Sequence, residues 1–196
     1  MQHLPFLVGI SGASGAIYGI RLLEALRRLK IESHLIVSRS AEITLATETD
    51  LKLADLHRLA DHVHAVANIA APPSSGSFRT MGMVIAPCSV RSLSEIASGV
   101  TTSLLTRAAD VTLKERRRLV LMLRETPLHT GHLRSMTALS EMGAVIAPPV
   151  PAFYNNPTTI DQLVDHSVGR VLDLFGLDDP ELRRWEGPKR PAPTLV

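Results

Sequence analysis

Cysteine is nearly absent from this sequence of 196 residues, which contains Cys88 and no other. A single cysteine excludes an intramolecular disulfide and any metal site built from several thiolates. Such usage is typical of a reducing compartment, so we expect a cytoplasmic protein. Long apolar runs are also lacking, and the first apolar stretch, residues 4–10, has no basic segment before it. We therefore expect neither a membrane span nor a targeting segment.

An excess of one charge is lacking too. There are 21 lysines and arginines against 19 aspartates and glutamates, which gives a net charge of +2. The basic residues are scattered apart from residues 116–118 and the tail, so binding to nucleic acid is not expected. The eight histidines show no HExxH spacing, and only His129 and His132 lie three apart on a predicted helix. We therefore predict no metal site.

The composition is that of one globular domain. Hydrophobic residues make up 45% and charged residues 20% of the chain, which is enough to bury one core. There is no internal repeat and no linker that would divide the chain. We predict a single domain over residues 1–178, followed by a proline-rich C-terminal arm over residues 179–196.

Short apolar runs alternate with segments of helical periodicity. Strands are predicted near residues 4–10, 31–37, 81–86, 118–123 and 143–147. Helices are predicted over residues 15–29 and 41–47, from Thr126 to about Glu141, and from Asn156 to about Phe175. One more helix is predicted to follow Ser89, and another to end at Lys114. Residues 50–80 are less regular, and residues 71–77 indicate an exposed loop. This order predicts an α/β fold with a mainly parallel sheet, and ligands of such sheets bind beyond the carboxyl ends of the strands.

A glycine-rich loop, residues 9–15 (GISGASG), lies between the first strand and the first helix. Small residues let the backbone approach a phosphate, and a helix N-terminus supplies N–H donors. The loop lacks the Gly-Lys-Ser/Thr of a Walker motif and departs from the dinucleotide fingerprint, so a mononucleotide fits better than NAD. The alternative is a tight turn that needs glycine only for its conformation.

A second loop, residues 87–92 (PCSVRS), places hydroxyls and an arginine where another helix begins. Two such loops could hold one cofactor from both sides. The alternative is that Ser89 only caps the helix and that Cys88 is a small buried residue, which we favour for the cysteine.

Charged residues gather near the predicted strand ends. Arginine and lysine there suit a phosphate, and a carboxylate beside them can move protons. Each could instead be an ordinary surface charge or salt-bridge partner. The residues are Glu48, Arg107, Lys114, Arg124, Glu125 and Arg170.

Taken together, these segments resemble the UbiX-like flavin prenyltransferases, a family that includes the small subunits of hydroxyarylic acid decarboxylases. The resemblance extends from Gly9 to about Trp185. The segments that carry it are GISGASGA (9–16), ATETD (46–50), SSGSF (74–78), PCS (87–89), RAADV (107–111), LKERR (113–117), LVLMLRETPL (119–128), PAFY (151–154) and VGRVLD (168–173).

The resemblance implies a Rossmann-like, flavodoxin-type, doubly wound subunit. Family members form large homo-oligomers, commonly dodecamers built from trimers, with FMN sites near subunit interfaces. The implied FMN contacts are Gly12, Ala13, Ser14, Ser38, Ser89, Val90, Arg91, Ser92 and Arg124. The implied contacts for the phosphate of dimethylallyl monophosphate are Tyr154 and Arg170, helped by Lys114. Arg107 and Glu125 match further active-site positions at subunit contacts.

The resemblance also implies a reaction that uses no metal. It joins N5 of reduced FMN to C1 of the prenyl group with loss of phosphate and then closes a ring through C6. The product, prenylated FMN, serves a UbiD-type decarboxylase. Cations and hydroxyls would absorb the charge of the leaving phosphate, and the candidates are Lys114, Arg124, Arg170 and Tyr154. Candidates for proton transfer are Ser14, Glu48 and Glu125.

Two segments depart from the pattern of many relatives. Ile69 occupies a position where some relatives carry an aromatic residue that could stabilise an allyl cation. Residues 130–136 (TGHLRSM) are more similar to the aromatic-acid decarboxylase subunits than to the ubiquinone-pathway members. Two alternatives share the fold: an FMN-dependent cysteine decarboxylase, whose catalytic histidine and substrate motif we do not find in matching context, and a non-catalytic flavin-binding subunit.

Overall fold

A six-stranded parallel sheet lies at the centre of the structure, a computed structural model that describes residues 4–180, 184 and 187. The strands are β1 (Phe6–Ile10), β2 (Ser33–Val37), β3 (His62–His64), β4 (Gly82–Cys88), β5 (Arg118–Leu123) and β6 (Val145–Ile146). The helices are α1 (Ala16–Arg28), α2 (Arg39–Glu48), α3 (Leu53–His57), α4 (Val90–Ser98), α5 (Leu104–Lys114), α6 (Thr130–Glu141) and α7 (Ile160–Asp173), with a 3-10 turn at Pro72–Ser74.

The strands run in the order β3-β2-β1-β4-β5-β6, and every neighbouring pair is parallel. Val8 of β1 lies opposite Leu35 on one side and Val84 on the other. The chain leaves β1 in both directions along the sheet, so the switch point lies between β1 and β4. The predicted doubly wound α/β fold is confirmed. Without the three-residue β3, the remaining order is that of flavodoxin.

Helices cover both faces of the sheet. The central strands carry apolar side chains on both faces, so each face needs a layer of helices to shield it from water. On one face α1 and α7 pack over alternate β1 residues such as Val8 and Ile10. On the other, α4, α5 and α6 pack over Met83 and Ile85 of β4. Gly19 permits the close approach of α1 to β4, since a Cβ there would lie 2.5 Å from the carbonyl oxygen of Ala86. The site is therefore carried on a rigid frame.

Residues 50–80 contain two elements that the sequence did not predict, α3 and β3. The edge strand β3 has three residues, two of them histidines, so neither its length nor its composition indicates a strand. It forms because its backbone pairs with β2.

The predicted starts of two helices were wrong by a few residues. Helix α6 begins at Thr130 because the His129 side chain accepts the amides of Gly131 and His132. Helix α7 begins at Ile160 because Thr159 caps it. In both cases the capping side chain determines where the helix begins, rather than the proline upstream.

The described residues include no helix that is long and apolar enough to cross a membrane. Asp179, the first residue of the predicted C-terminal arm, is buried and pairs with Arg28 of α1. The rest of that arm lies outside the described residues apart from Arg184 and Gly187, so the division at residue 178 stays a prediction.

Candidate functional site

A cavity of about 570 Å³ opens at the carboxyl ends of β1, β2 and β4, next to the switch point of the sheet. Its size is that of a small-molecule site, and its position is where open α/β sheets bind ligands. Its lining consists of Gly12, Ala13, Ser38, Arg39, Ser40, Val66, Ala67, Ser89, Val90, Arg91, Ser92, Glu95, Thr102, Ser103, Leu105, Thr106, Arg124 and Glu125.

Eight of the nine predicted FMN contacts line this cavity: Gly12, Ala13, Ser38, Ser89, Val90, Arg91, Ser92 and Arg124. They come from four separate segments of the chain, which the parallel sheet brings to one edge. The ninth, Ser14, lies just beyond the lining and hydrogen-bonds to Glu48. The two loops predicted to act together therefore do enclose one space.

Two helix N-termini point at the cavity. The hydroxyl of Ser38 caps α2 by accepting the amide of Ala41 at 3.2 Å, and that of Ser89 caps α4 by accepting the amide of Ser92 at 3.2 Å. Ser89 therefore fulfils the predicted capping role and lines the cavity as well. In each helix the cap leaves the first two amides without an intrahelical acceptor, which makes the edge suitable for an anion such as a phosphate.

Gly12 brings the glycine loop against the start of α2. A Cβ at this position would lie 2.2 Å from Cβ of Ser40, a distance that atoms cannot share. Only glycine allows the loop and the helix to pack this closely, and both line the cavity.

Ser11, which the sequence did not single out, joins the two loops. Its buried hydroxyl donates to the carbonyl of Pro87 at 3.0 Å and accepts the amide of Ser89 at 2.7 Å. This residue holds the first turn after β1 against the start of α4. A serine directly after an apolar strand is the only indication in the sequence, and it does not show what the hydroxyl contacts.

Glu48 occupies the N-terminus of α1. Its Oε2 accepts the amides of Gly15 at 2.8 Å and Ala16 at 3.1 Å. The sequence predicted that amides of this helix would face a phosphate, but these two face a carboxylate of the same chain. Burial alone would raise the pKa of Glu48, but hydrogen bonds from Ser14, Gly15 and Ala16, with the charge of Arg124, lower it below the ordinary value of 4.5.

Replacing Glu48 by glutamine should lower the melting temperature at neutral pH. Because the folded-state pKa of Glu48 is depressed, its charge stabilises the fold above the unfolded-state pKa, and this contribution is lost as pH falls through the folded-state pKa. The difference in melting temperature between wild type and Glu48→Gln should therefore narrow as pH falls below about 4.5.

Thermal unfolding followed from neutral to acidic pH checks this expectation. Glu141→Gln is the matched control, because Glu141 is also the last residue of its helix and is exposed. A difference for Glu48→Gln that stays constant with pH would contradict the assigned contact.

Cys88 is completely buried, and burial raises the pKa of its thiol to about 12. A thiol with that pKa is protonated at neutral pH and is a poor nucleophile. The cysteine is therefore the small buried residue that the sequence favoured.

The other charged candidates do not lie together. Arg124 and Glu125 line the cavity. Arg107 donates to the carbonyl of Ser74 at 3.2 Å and pairs with Asp110. Lys114 pairs with Glu115 at the far end of α5, roughly 16 Å from the cavity end of that helix.

Tyr154 and Arg170 lie near a second, smaller cavity of about 230 Å³ at the carboxyl ends of β5 and β6. The Tyr154 hydroxyl and Nε2 of His166 are 2.9 Å apart, and both His166 and Arg170 line this cavity. Arg170 also pairs with Asp173 at 2.7 Å. Within one chain, then, Arg107, Lys114, Tyr154 and Arg170 are absent from the lining of the large cavity as far as the structure describes it.

Nine further lining residues were missed from the sequence, among them Arg39, Ser40, Ser103 and Thr106. Ser38 was identified, so the two residues after it could have been predicted from the N-terminus that it caps. Ser103 and Thr106 form a capping box at the start of α5, which the S-x-x-T spacing indicates only weakly.

The chain matches the family model described as Flavoprotein over residues 1–172. The flavin prenyltransferase UbiX of Thauera aromatica is 58% identical over 184 residues, which are 94% of this chain and 95% of that protein. The crystal structure of AnUbiX in complex with FMN and dimethylallyl pyrophosphate superposes with a TM-score of 0.94 at 51% identity, covering 95% of this chain and all of that one. That of a dodecameric FMN-dependent UbiX-like decarboxylase from Escherichia coli O157:H7 superposes with a TM-score of 0.92 at 51% identity, covering 94% of this chain and all of that one. The chain thus belongs to the Flavoprotein family and, within it, to the UbiX-like flavin prenyltransferases.

Proposed function

We propose that this protein transfers the dimethylallyl group of dimethylallyl monophosphate to N5 and C6 of reduced FMN. The product, prenylated FMN, would serve a UbiD-type decarboxylase in the cytoplasm. The observation that carries this proposal is the cavity at the carboxyl edge, where eight residues matching the family's FMN contacts come together. The 58% identity to a flavin prenyltransferase supports the same reaction.

FMN would enter the cavity with its phosphate toward the N-termini of α2 and α4. Arg39 supplies a cation at the first position of α2, and Ser40 follows it with a hydroxyl. Arg91 supplies a second cation in the first turn of α4, and Arg124 a third from the end of β5. Free amides, hydroxyls and arginines together suit a phosphate dianion better than any neutral group.

The prenyl phosphate would bind where subunits meet. Tyr154 and Arg170 lie at the small cavity by the carboxyl ends of β5 and β6, whereas Lys114 lies at the end of α5 that is remote from the large cavity. Lys114 can therefore reach the phosphate only from another subunit. Phe153 is 70% exposed and Val150 is 71% exposed, so a second copy has an apolar surface to cover next to Tyr154. A dodecameric assembly, as in the Escherichia coli relative, is consistent with this arrangement.

The reaction breaks the bond between prenyl C1 and the phosphate oxygen, which leaves with the electron pair, and forms bonds from the prenyl group to the flavin. The protein's part is to hold the leaving phosphate with cations and a hydroxyl, the role we assign to Lys114, Arg170 and Tyr154. Ile69, which stands where some relatives carry an aromatic residue, is 65% exposed in the loop before the 3-10 turn. This side chain offers the prenyl group no aromatic ring.

Proton transfer is assigned to Ser14, Glu48 and Glu125. The Ser14 side chain hydrogen-bonds to Glu48, so a proton taken at the serine oxygen could pass to the carboxylate. Glu125 lines the cavity and can accept a proton from the opposite side. Because its pKa is lowered, Glu48 is a weaker base than an ordinary carboxylate, and we assign it the relay. Glu125, which lines the cavity, is assigned the direct contact with the reacting groups.

The purified full-length protein should convert reduced FMN under anaerobic conditions when dimethylallyl monophosphate is added. The extracted flavin should gain the mass of one dimethylallyl unit, as measured by mass spectrometry. A parallel reaction with dimethylallyl pyrophosphate tests which donor is used, and oxidised FMN is the control. Flavin that binds but stays unmodified with both donors would overturn the assignment and leave a flavin-binding subunit.

A further inference from the structure

A cluster of three histidines and one glutamate lies at the amino ends of β2 and β3, whereas the large cavity opens at the carboxyl ends of the strands. His34 is the second residue of β2, and His62 is the first of β3. The two are direct neighbours in the parallel register, so their side chains are on the same face. Glu32 immediately precedes β2, and His64 follows His62 by two residues, again on that face.

The ligand atoms of this cluster are closely spaced. Oε1 of Glu32 lies 3.1 Å from Nε2 of His34 and 3.3 Å from Nε2 of His62. All three side chains can present ligand atoms within 4.8 Å of one another. Zinc bonds of about 2.0–2.1 Å in a tetrahedral site place ligand atoms roughly 3.3 Å apart. Two of the separations already have the spacing that one bound metal ion would require.

We propose that Glu32, His34 and His62 form a site for a divalent transition metal ion of the zinc type. Two imidazoles and one carboxylate leave a fourth tetrahedral position for water. This donor set favours zinc, nickel or copper over calcium or magnesium, which take oxygen ligands. Among the residues that the structure describes, no second group of three such side chains comes as close together.

The surroundings of His34 hold its ring for this role. The side chain is 6% exposed, and its ring packs against those of His62 and His64, at centroid distances of 4.5 and 5.1 Å. Nδ1 of His34 is 2.9 Å from Nε2 of His64. When a metal ion binds Nε2 of His34, Nδ1–H can donate to Nε2 of His64, which takes the place of the carboxylate, carbonyl or water that usually accepts this outer hydrogen bond.

A second carboxylate fixes the register of the two strands without competing for the metal. Oδ2 of Asp61 accepts both the amide of Ser33 at 2.8 Å and its hydroxyl at 3.1 Å. Asp61 directly precedes β3, and Ser33 begins β2, so this contact holds His62 beside His34. A bound metal ion would add a second link between β2 and the short edge strand.

Zinc titrated into metal-stripped, full-length protein tests the proposal. Isothermal titration should give one strong site per chain, and zinc should raise the melting temperature because it binds only the folded state. His62→Ala and Glu32→Gln should each weaken zinc binding at least tenfold. Both side chains are partly exposed, with side-chain accessibilities of 54% and 42%, so neither substitution leaves a buried gap.

Two controls separate this site from other histidines. His57→Ala removes an imidazole from α3, and His132→Ala removes one of two neighbouring rings, His129 and His132, whose centroids are 3.6 Å apart. Both should bind zinc as the wild type does. Cobalt bound at the site should show the intense visible absorption of four-coordinate geometry. The proposal is overturned if the wild type binds no zinc, or if His62→Ala binds it equally well.

Discussion

Gly12→Ala should weaken FMN binding by roughly tenfold to a hundredfold. The added Cβ would lie 2.2 Å from Cβ of Ser40 and 3.1 Å from its backbone carbonyl carbon. Either the glycine loop or the start of α2 must move, and both line the cavity. Overpacking of this kind costs about 1–3 kcal/mol, and each 1.4 kcal/mol is a factor of ten in affinity. Fluorescence titration of apoprotein with FMN measures the change.

Ser40→Gly provides the matched test. In the Gly12→Ala/Ser40→Gly double variant the nearest clashing atom is gone, and the remaining contacts with the backbone of residue 40 are 3.1 and 3.2 Å. FMN affinity should recover in part relative to Gly12→Ala. The double variant is also compared with Ser40→Gly alone, because both lack the Ser40 hydroxyl. If Gly12→Ala weakens FMN binding as much in the Ser40→Gly background as in the wild type, the clash is not the cause. Unchanged affinity in Gly12→Ala would remove the loop from the FMN site.

Arg170→Ala should raise the Michaelis constant for dimethylallyl monophosphate by roughly tenfold or more, with little change in FMN affinity. Loss of a charge-assisted contact to the phosphate costs about 1.5–3 kcal/mol. Tyr154→Phe should also raise this Michaelis constant. The Tyr154 hydroxyl lies 2.9 Å from Nε2 of His166, a residue that lines the small cavity together with Arg170. Steady-state kinetics with varied prenyl phosphate measures both.

Arg184 makes the control unusually direct. Its guanidinium pairs with Asp173 at 2.7 Å, as that of Arg170 does. Arg184→Ala therefore removes one partner of the same carboxylate from a position outside the cavity lining. If Arg170 is only a partner of Asp173, the two variants should behave alike, with normal kinetics and a slightly lower melting temperature. If it binds phosphate, only Arg170→Ala should affect the Michaelis constant.

Much of the lining of the large cavity was predictable because it is built from local patterns. Gly12 and Ala13 belong to a glycine turn, and Ser38 and Ser89 cap helices that follow strands. In a parallel sheet all such turns come to one edge, so residues far apart in sequence could be placed together without coordinates. The role of Ser11 could not be predicted in this way, because its partners at Pro87 and Ser89 depend on how closely two loops approach.

The prenyl-phosphate residues could not be assembled from one chain. The motifs around Lys114 and Arg170 are as recognisable as those of the FMN site, but α5 carries Lys114 to the opposite edge of the sheet. Their proposed convergence requires contacts between subunits, which leave no periodic pattern in the sequence. These assignments remain predictions, and the Arg170 and Tyr154 variants test them.

Glu48 illustrates the limit for single side chains. The sequence placed a carboxylate after the second helix, near phosphate-binding loops. Its contacts with the amides of Gly15 and Ala16 depend on the angle between α1 and α2, which is set by packing. The same carboxylate could have been free to act as a base, and only its neighbours lower its pKa.

The sequence by itself determined the α/β order, the parallel sheet, the edge at which the large cavity opens and the family. Each of these depends on periodicity, turn chemistry or motifs that neighbouring residues carry. Only the tertiary structure decided which groups lie within bonding distance. His34 and His62 are 28 residues apart, and the edge strand that carries His62 has no strand-like sequence. Their meeting with Glu32 follows from strand register, which is a property of the folded sheet and not of either segment alone.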